Sequence, residues 1–270
     1  MNALNNGMTK LFDLLLAPMA GSPVWTMVVV SIVTSVWALL LFKAVTPQSQ
    51  LTRVRDRLFG HIYEMGLYQD HLRIVGRIQW DLAKANLRYM SLTLPALIVL
   101  MVPMVLTLAQ LDSRFANRPL HEGEVAVFTV ALAETDLDAV YLQLPSGVRI
   151  GAGPVRDPSA QEVAWLLRVD GPVTDELVVF AGEEEIARRS VPVGDGLISL
   201  GEESQTHWFH TLLYPGAPGL SSAGVVTAMT LKLPDRQVEY LGFGLDWLIA
   251  FMLISMVAGL AIKDVLRVSI

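Results

Sequence analysis

Residues 91–111 read SLTLPALIVLMVPMVLTLAQL, twenty-one positions without a charged side chain and with prolines at 95 and 103. In a water-soluble helix each interior proline would cost about 3 kcal/mol, whereas a membrane helix tolerates them because neighbouring groups satisfy the freed backbone. At about 1.5 Å per residue the stretch covers roughly 31 Å, close to the hydrocarbon thickness of a bilayer. It is expected to span a membrane, and two further stretches join it. Residues 24–42 (VWTMVVVSIVTSVWALLLF) supply 19 uncharged positions, and residues 247–262 (WLIAFMLISMVAGLAI) supply 16 between Asp246 and Lys263. The last covers only about 24 Å, so as a span it must thin the bilayer, snorkel its flanks or borrow residues 241–245.

Composition agrees with this. Hydrophobic residues make up 53% of the 270-residue chain and charged residues 17%, with a net charge of −6 and no cysteine; the mean hydropathy is +0.47. Such a chain is too apolar for an ordinary soluble domain and too acidic for a DNA binder, and it has no thiol for catalysis or for metal. A membrane protein with a soluble part remains.

Charge sets the expected orientation. Lys43, Arg53, Arg55, Arg57, Arg73, Arg77, Lys84 and Arg88 place eight positive charges between the first two spans, against Asp56, Glu64, Asp70 and Asp81. Basic loops stay in the cytoplasm, and Lys263 and Arg267 after the last span point the same way. The N-terminus is then outside, the C-terminus inside, and residues 112–240 extracytoplasmic. That segment carries 9 Lys+Arg against 19 Asp+Glu, so most of the acidity lies where the rule tolerates it. The setting this implies is a prokaryotic inner membrane, with the lipid bilayer as first partner.

The segment 1–23 reads as an interfacial helix. Met8, Leu11, Phe12, Leu15 and Met19 recur at helical spacing, while Asp13 interrupts the apolar run that a cleaved signal peptide would need. Residues 43–90 read as a basic helical hairpin. Leu51, Val54, Leu58 and Ile62 mark one helix, Leu72, Val75, Ile78 and Leu82 mark the next, and Gly66 is the expected bend. Arg53, Arg55, Arg57, Arg73 and Arg77 line its outer faces, where they meet anionic headgroups or dock a protein or RNA.

From Gly123 the period shortens to two. Segments 124–132, 139–144, 163–169, 176–181, 186–193 and 227–233 read as short strands separated by turns such as Pro145-Ser146-Gly147 and Asp170-Gly171-Pro172. An all-β, immunoglobulin-like sandwich is expected at 112–240, with Trp165 and Phe180 in its core and its least regular part at 201–224. The fold class is thus an α-helical membrane protein, three spans and a hairpin, with an inserted β-sandwich and a final span and tail at 241–270.

Chemistry is sparse. His207 and His210, downstream of Glu202 and Glu203, have the composition of a metal site without a ligand spacing that makes them converge, and no metal or cofactor is expected. His61 and His71 have no acid or hydroxyl at a recognisable catalytic spacing, and no hydrolase elbow or phosphate loop is present. Gly242-Phe243-Gly244 precedes a span and is not a nucleotide loop. An enzyme is not expected. The polar groups that stand out lie inside the spans: Ser31, Thr34 and Ser35 along one side of the first, Thr93 and Thr107 in the second, Ser255 in the third, and Lys43 at the first span's inner end. They are candidates to line a polar groove, or else they bond to their own helix carbonyls and knit helices together.

The stretch SPVWTMVVVSIVTSVWALLLFKAVTPQSQ, the hairpin RVRDRLFGHIYEMGLYQDHLRIVGRIQWDLAKANLRYM and the following LTLPALIVLMVPMVLTLAQ, read with the last span, resemble the three-span core of the YidC/Oxa/Alb insertase superfamily. The likeness is to its compact branch, which includes the third subunit of the endoplasmic reticulum membrane complex and archaeal YidC-like proteins. It covers a little under half of the chain. The resemblance implies a non-enzymatic insertase that eases transmembrane segments through a cytoplasm-facing polar groove, with nascent membrane proteins or the ribosome as cytoplasmic partners. This chain departs from the family in placing Lys43 at the end of the first span and the sandwich between the second and third spans. The alternative is a membrane-anchored scaffold, or an accessory subunit, whose sandwich binds an envelope protein.

A reporter fused after Gly182 is expected to be active outside the cytoplasm, and one fused after Gly66 active inside it. The reverse pattern would overturn the charge argument.

Overall fold

The computed structural model of the chain describes residues 2–16, 21–68, 70–133, 136–205, 213–217, 219–220, 224–240 and 242–268. Two compact units are present, one made of residues 1–26 and 106–247 and the other of residues 27–105 and 248–270. Helix α1 covers Asn2–Leu16, α2 Pro23–Val45, α3 Gln48–Leu67, α4 Leu72–Phe115 and α5 Trp247–Ile262.

Among the described residues, α2 and α4 are the helices long and apolar enough to cross a membrane, while α5 is apolar but shorter. Their apolar side chains are widely exposed in the protein alone: Ile32 and Val33 on α2, Leu97 and Val102 on α4, Met252 and Val257 on α5. Water would not tolerate so much contiguous apolar surface, whereas lipid would. The expected division between hairpin and second span is not a structural break. Residues 72–115 form one helix of 44 residues that passes through Pro95 and Pro103, so the basic and the apolar stretch belong to one element. Gly66 lies in the last turn of α3, and the turn falls just after it, with the N–H of His71 donating to the carbonyl of Tyr68. Nor does α5 borrow residues 241–245: Val238–Tyr240 (β9) and Phe243–Leu245 (β10) form a two-stranded ribbon, with Gly242 at φ +83° in its turn.

The β region has two antiparallel sheets around one core. Strands β1 (Val125–Leu132), β3 (Val148–Asp157), β4 (Glu162–Val169), β7 (Glu203–Gln205) and β8 (Val226–Leu231) make a sheet in the order β3-β4-β1-β8-β7. Strands β2 (Val140–Gln143), β5 (Glu176–Ala181) and β6 (Glu184–Ser190) make another in the order β2-β5-β6. Phe128, Val130, Trp165 and Leu167 from the first sheet meet Val140, Leu177 and Val179 from the second, and the rings of Phe128 and Trp165 stack with centroids 6.1 Å apart. The strands divide five and three, which is not the four-and-three division of the immunoglobulin constant fold. Trp165 is a core residue as expected. Phe180 is not: Leu177 and Val179 point inward, and period-two alternation puts Phe180 on the opposite face, stacked on Tyr141 at 5.3 Å.

Two anchors fasten the loops. Residues after α4 are clamped to the sandwich by N–H donation from Arg118 to Pro234 and from Leu120 to Pro192, and by a fork from Arg118 to both oxygens of Glu124 (2.8 and 2.9 Å). That fork and the N–H of His121 hold the Glu124 carboxyl down at about 2. Farther on, Arg189 is buried on β6 and donates to Ser204 Oγ and to the carbonyl oxygens of Met229, Gly201 and Glu202 (2.5–3.1 Å). Burial pushes its guanidinium down to about 10, still well above neutral pH, so it stays charged. The irregular segment it holds is close-packed: a Cβ on Gly216 would lie 2.2 Å from the Leu200 backbone. Among the described residues of 201–224 the only strand is β7, which agrees with the expected irregularity.

Arg189→Ala removes four hydrogen bonds, to Ser204 Oγ and to the carbonyls of Met229, Gly201 and Glu202. It is expected to cost about 3 kcal/mol, read as a lower thermal midpoint of the full chain in detergent, with Arg189→Lys recovering part of the loss.

Candidate functional site

Helix α2 is apolar overall, but the side it turns into its own unit is polar. Met27, Ser31, Thr34, Ser35 and Leu39 are buried at helical spacing, while Ile32, Val33 and Leu40 on the other sides are exposed. Small hydroxyl residues let helix backbones approach closely, and α5 takes advantage of this. Ser35 Oγ lies 2.8 Å from the carbonyl oxygen of Ser31 and 2.7 Å from that of Ser255. Ser255 Oγ in turn donates to Phe251 O at 2.6 Å. A polar seam thus runs between α2 and α5. Within it the Oγ of Ser31 is fully buried without a hydrogen-bond partner. A neutral hydroxyl left so is worth about 1–3 kcal/mol of unmade bonding.

The other candidate groove residues divide. Lys43 is exposed at the end of α2, and its Nζ donates to the carbonyl oxygen of Leu266 at 2.7 Å, so it caps the turns after α5 and does not point into the seam's middle. Thr93 returns its hydroxyl to the carbonyls of Tyr89 and Met90 on its own helix. Thr107 belongs to the first unit, with α1 and the sandwich. Of the seven expected residues, Ser31, Ser35 and Ser255 are therefore brought together, Thr34 is buried on the same side of α2, and Lys43 closes the end.

A second cluster was not expected. Arg114, in the last turn of α4, has a side chain only 1% exposed. It pairs with Asp13 of α1 at 2.5 Å, and it donates to the Thr9 carbonyl at 3.2 Å and to the side chain of Gln110 at 2.8 Å. The ring of Phe12 lies 5.8 Å from its guanidinium carbon. A buried arginine of this kind is held by charge pairing and direct donation together. The knot fixes α1 while Leu11, Leu14 and Leu15 of that helix stay exposed. Asp13 had signalled only that the segment is no signal peptide; its partner lies 101 residues away and no local pattern points to it.

The hairpin arginines are not equivalent. Gln50, Arg53, Val54 and Arg57 of α3 line a cleft of about 300 Å³ with Arg88 of α4. Arg55 is instead 3.8 Å from Asp56, and Arg73 and Arg77 sit near the start of α4, exposed and outside that cleft. His61 does have an acidic partner, contrary to expectation: its Nδ1 is 3.2 Å from Glu64, one helical turn on. This is a solvated i,i+3 pair, and the pattern was missed because a helix brings residues three apart together. His71 is exposed. His207 and His210 lie outside the described residues, and among the described residues no three metal-ligating side chains group together. Comparison with family models, with curated proteins and with solved structures finds no match.

Proposed function

We propose that this chain is a non-enzymatic membrane-protein insertase or insertion chaperone of the YidC/Oxa kind, with α2, α4 and α5 as its three spans, the α3–α4 hairpin in the cytoplasm and the sandwich outside. The observation that carries this reading is the polar seam of α2. An apolar helix has no need to bury Ser31, Thr34 and Ser35 on one side, still less to leave the Ser31 hydroxyl unpaired. Such groups offer hydrogen bonds to a polar flank that would otherwise lose several kcal/mol per unpaired group on entering hydrocarbon. The 16-residue α5 favours a locally thinned bilayer beside the seam, and the interfacial α1, held by Arg114, perturbs the outer leaflet. No bond is made or broken.

One observation favours the second reading, a membrane-anchored scaffold or accessory subunit. Ser35 already reaches the carbonyl of Ser255, which is the way hydroxyls close a helix pair that only needs to hold together. In the insertase reading this bond is the closed state of the seam.

The test is insertion of a single-span substrate with a short polar outer tail into liposomes containing the full chain. The chain is expected to raise insertion severalfold over empty liposomes. Ser31→Val combined with Thr34→Val is expected to remove most of that gain without changing thermal stability by more than about 1 kcal/mol. Insertion no better than in empty liposomes would leave the scaffold reading.

A further inference from the structure

The cleft between α3 and α4 carries charge that nothing in the protein answers. Gln50, Arg53 and Arg57 sit at i, i+3 and i+7 of α3 and share one face of that helix, and Arg88 of α4 lines the same cleft of about 300 Å³. None of the residues lining it is acidic. Three of the hairpin's four acids are engaged elsewhere, Asp56 with Arg55, Glu64 with His61 and Asp81 with Lys84, and the fourth, Asp70, lies in the turn after α3 and outside the cleft. Arg53 rests its Nε on the Ser49 carbonyl at 3.1 Å, which fixes the stem and leaves its terminal amino groups as donors. Among the described residues the side chains of Arg57 and Arg88 have no hydrogen-bond or ion-pair partner. Three guanidinium groups around one cleft repel one another unless an anion joins them.

The position narrows the choice of anion. Gln50 stands five residues after the end of α2, and Arg88 three residues before the uncharged stretch that begins at Ser91. On the reading that α2 and α4 cross the bilayer, on which this inference rests, Gln50, Arg53 and Arg88 lie within about one to two helical turns of the hydrocarbon edge and Arg57 about one turn farther, within reach of its long side chain. That is the depth of phospholipid phosphates. Guanidinium forks match the oxygens of a phosphate in pairs, and Val54 gives the cleft an apolar wall on its α3 side.

We propose that Gln50, Arg53, Arg57 and Arg88 form a phosphate-binding site, which an anionic phospholipid headgroup fills from the membrane. The site holds the hairpin at a fixed height beneath the spans. Arg73 and Arg77 take no part in it.

Native mass spectrometry of the full chain released from a zwitterionic detergent tests this, with phosphatidylglycerol, phosphatidylcholine or inorganic phosphate added in turn. Phosphatidylglycerol is expected to stay bound where phosphatidylcholine does not, with affinity falling roughly fivefold for each arginine removed in the series Arg53→Gln, Arg57→Gln and Arg88→Gln. Arg73→Gln with Arg77→Gln is expected to leave it unchanged. Retention of inorganic phosphate without lipid, with the same arginine dependence, would uphold the site and assign it a soluble source. Equal retention by the triple variant and the wild type, or an equal loss in the Arg73/Arg77 variant, would overturn the proposal. Alkaline carbonate extraction of the wild-type chain separates this failure from that of the membrane reading, and the binding readout requires no insertion activity.

Discussion

A buried polar group has no water to fall back on, and that constraint organises most of what this chain does with its hydroxyls and buried charges. Thr93 turns back to its own helix, Ser35 reaches across to α5, and Arg114 gathers Gln110, Thr9 and Asp13 about its guanidinium. The last two also fix contacts between elements, α2 with α5 and α4 with α1. Ser31 on α2 departs from the rule, as does Thr46 just beyond that helix: each hydroxyl is buried without a partner. A site that breaks a local rule is where function is expected to concentrate, which is why the seam on α2, and not the larger sandwich, carries the functional argument.

The sandwich meets the same constraint in another form. Arg189 reaches the carbonyls of Gly201, Glu202 and Met229 at once, adding to the bond that Glu202 already accepts from the N–H of Leu231. A segment poor in regular structure is thereby fixed against two sheets. The close approach of Gly216 to Leu200 shows how little room that segment has left. Arg189 and Arg114 thus each gather acceptors from more than one element of the fold.

Much of this was legible in the chain. Apolar runs located α2, α5 and the C-terminal half of α4 to within a few residues, and alternation located β1, β2, β4, β5, β6 and β8, because each of these patterns is local. What was missed is nonlocal or locally ambiguous. Strand β3 (VRIGAGPVRD) has two glycines and Pro154 and pairs with β4 through two register shifts, so it shows no alternation. Phe180 was assigned to the core by its size, although Leu177 and Val179 set the inward parity of β5. The Arg114–Asp13 pair and the inclusion of Arg88 with Arg53 and Arg57 depend on how helices are brought together, which no spacing within one helix reveals. Ser31, Thr34 and Ser35 were visible as a stripe, but only the structure shows that the stripe faces inward and that Ser35 meets Ser255.

The central claim is that the α2 seam opens to water. The chain contains no cysteine, so single cysteines at positions 31, 34 and 38, with one at the exposed position 33 as a control, report hydration without background. The most direct measurement is their labelling in intact membranes by a membrane-impermeant thiol reagent applied from the cytoplasmic side. The account predicts labelling at 31 and 34 and protection at 33 and 38. Uniform protection along α2 would contradict it and leave the helices as an anchor.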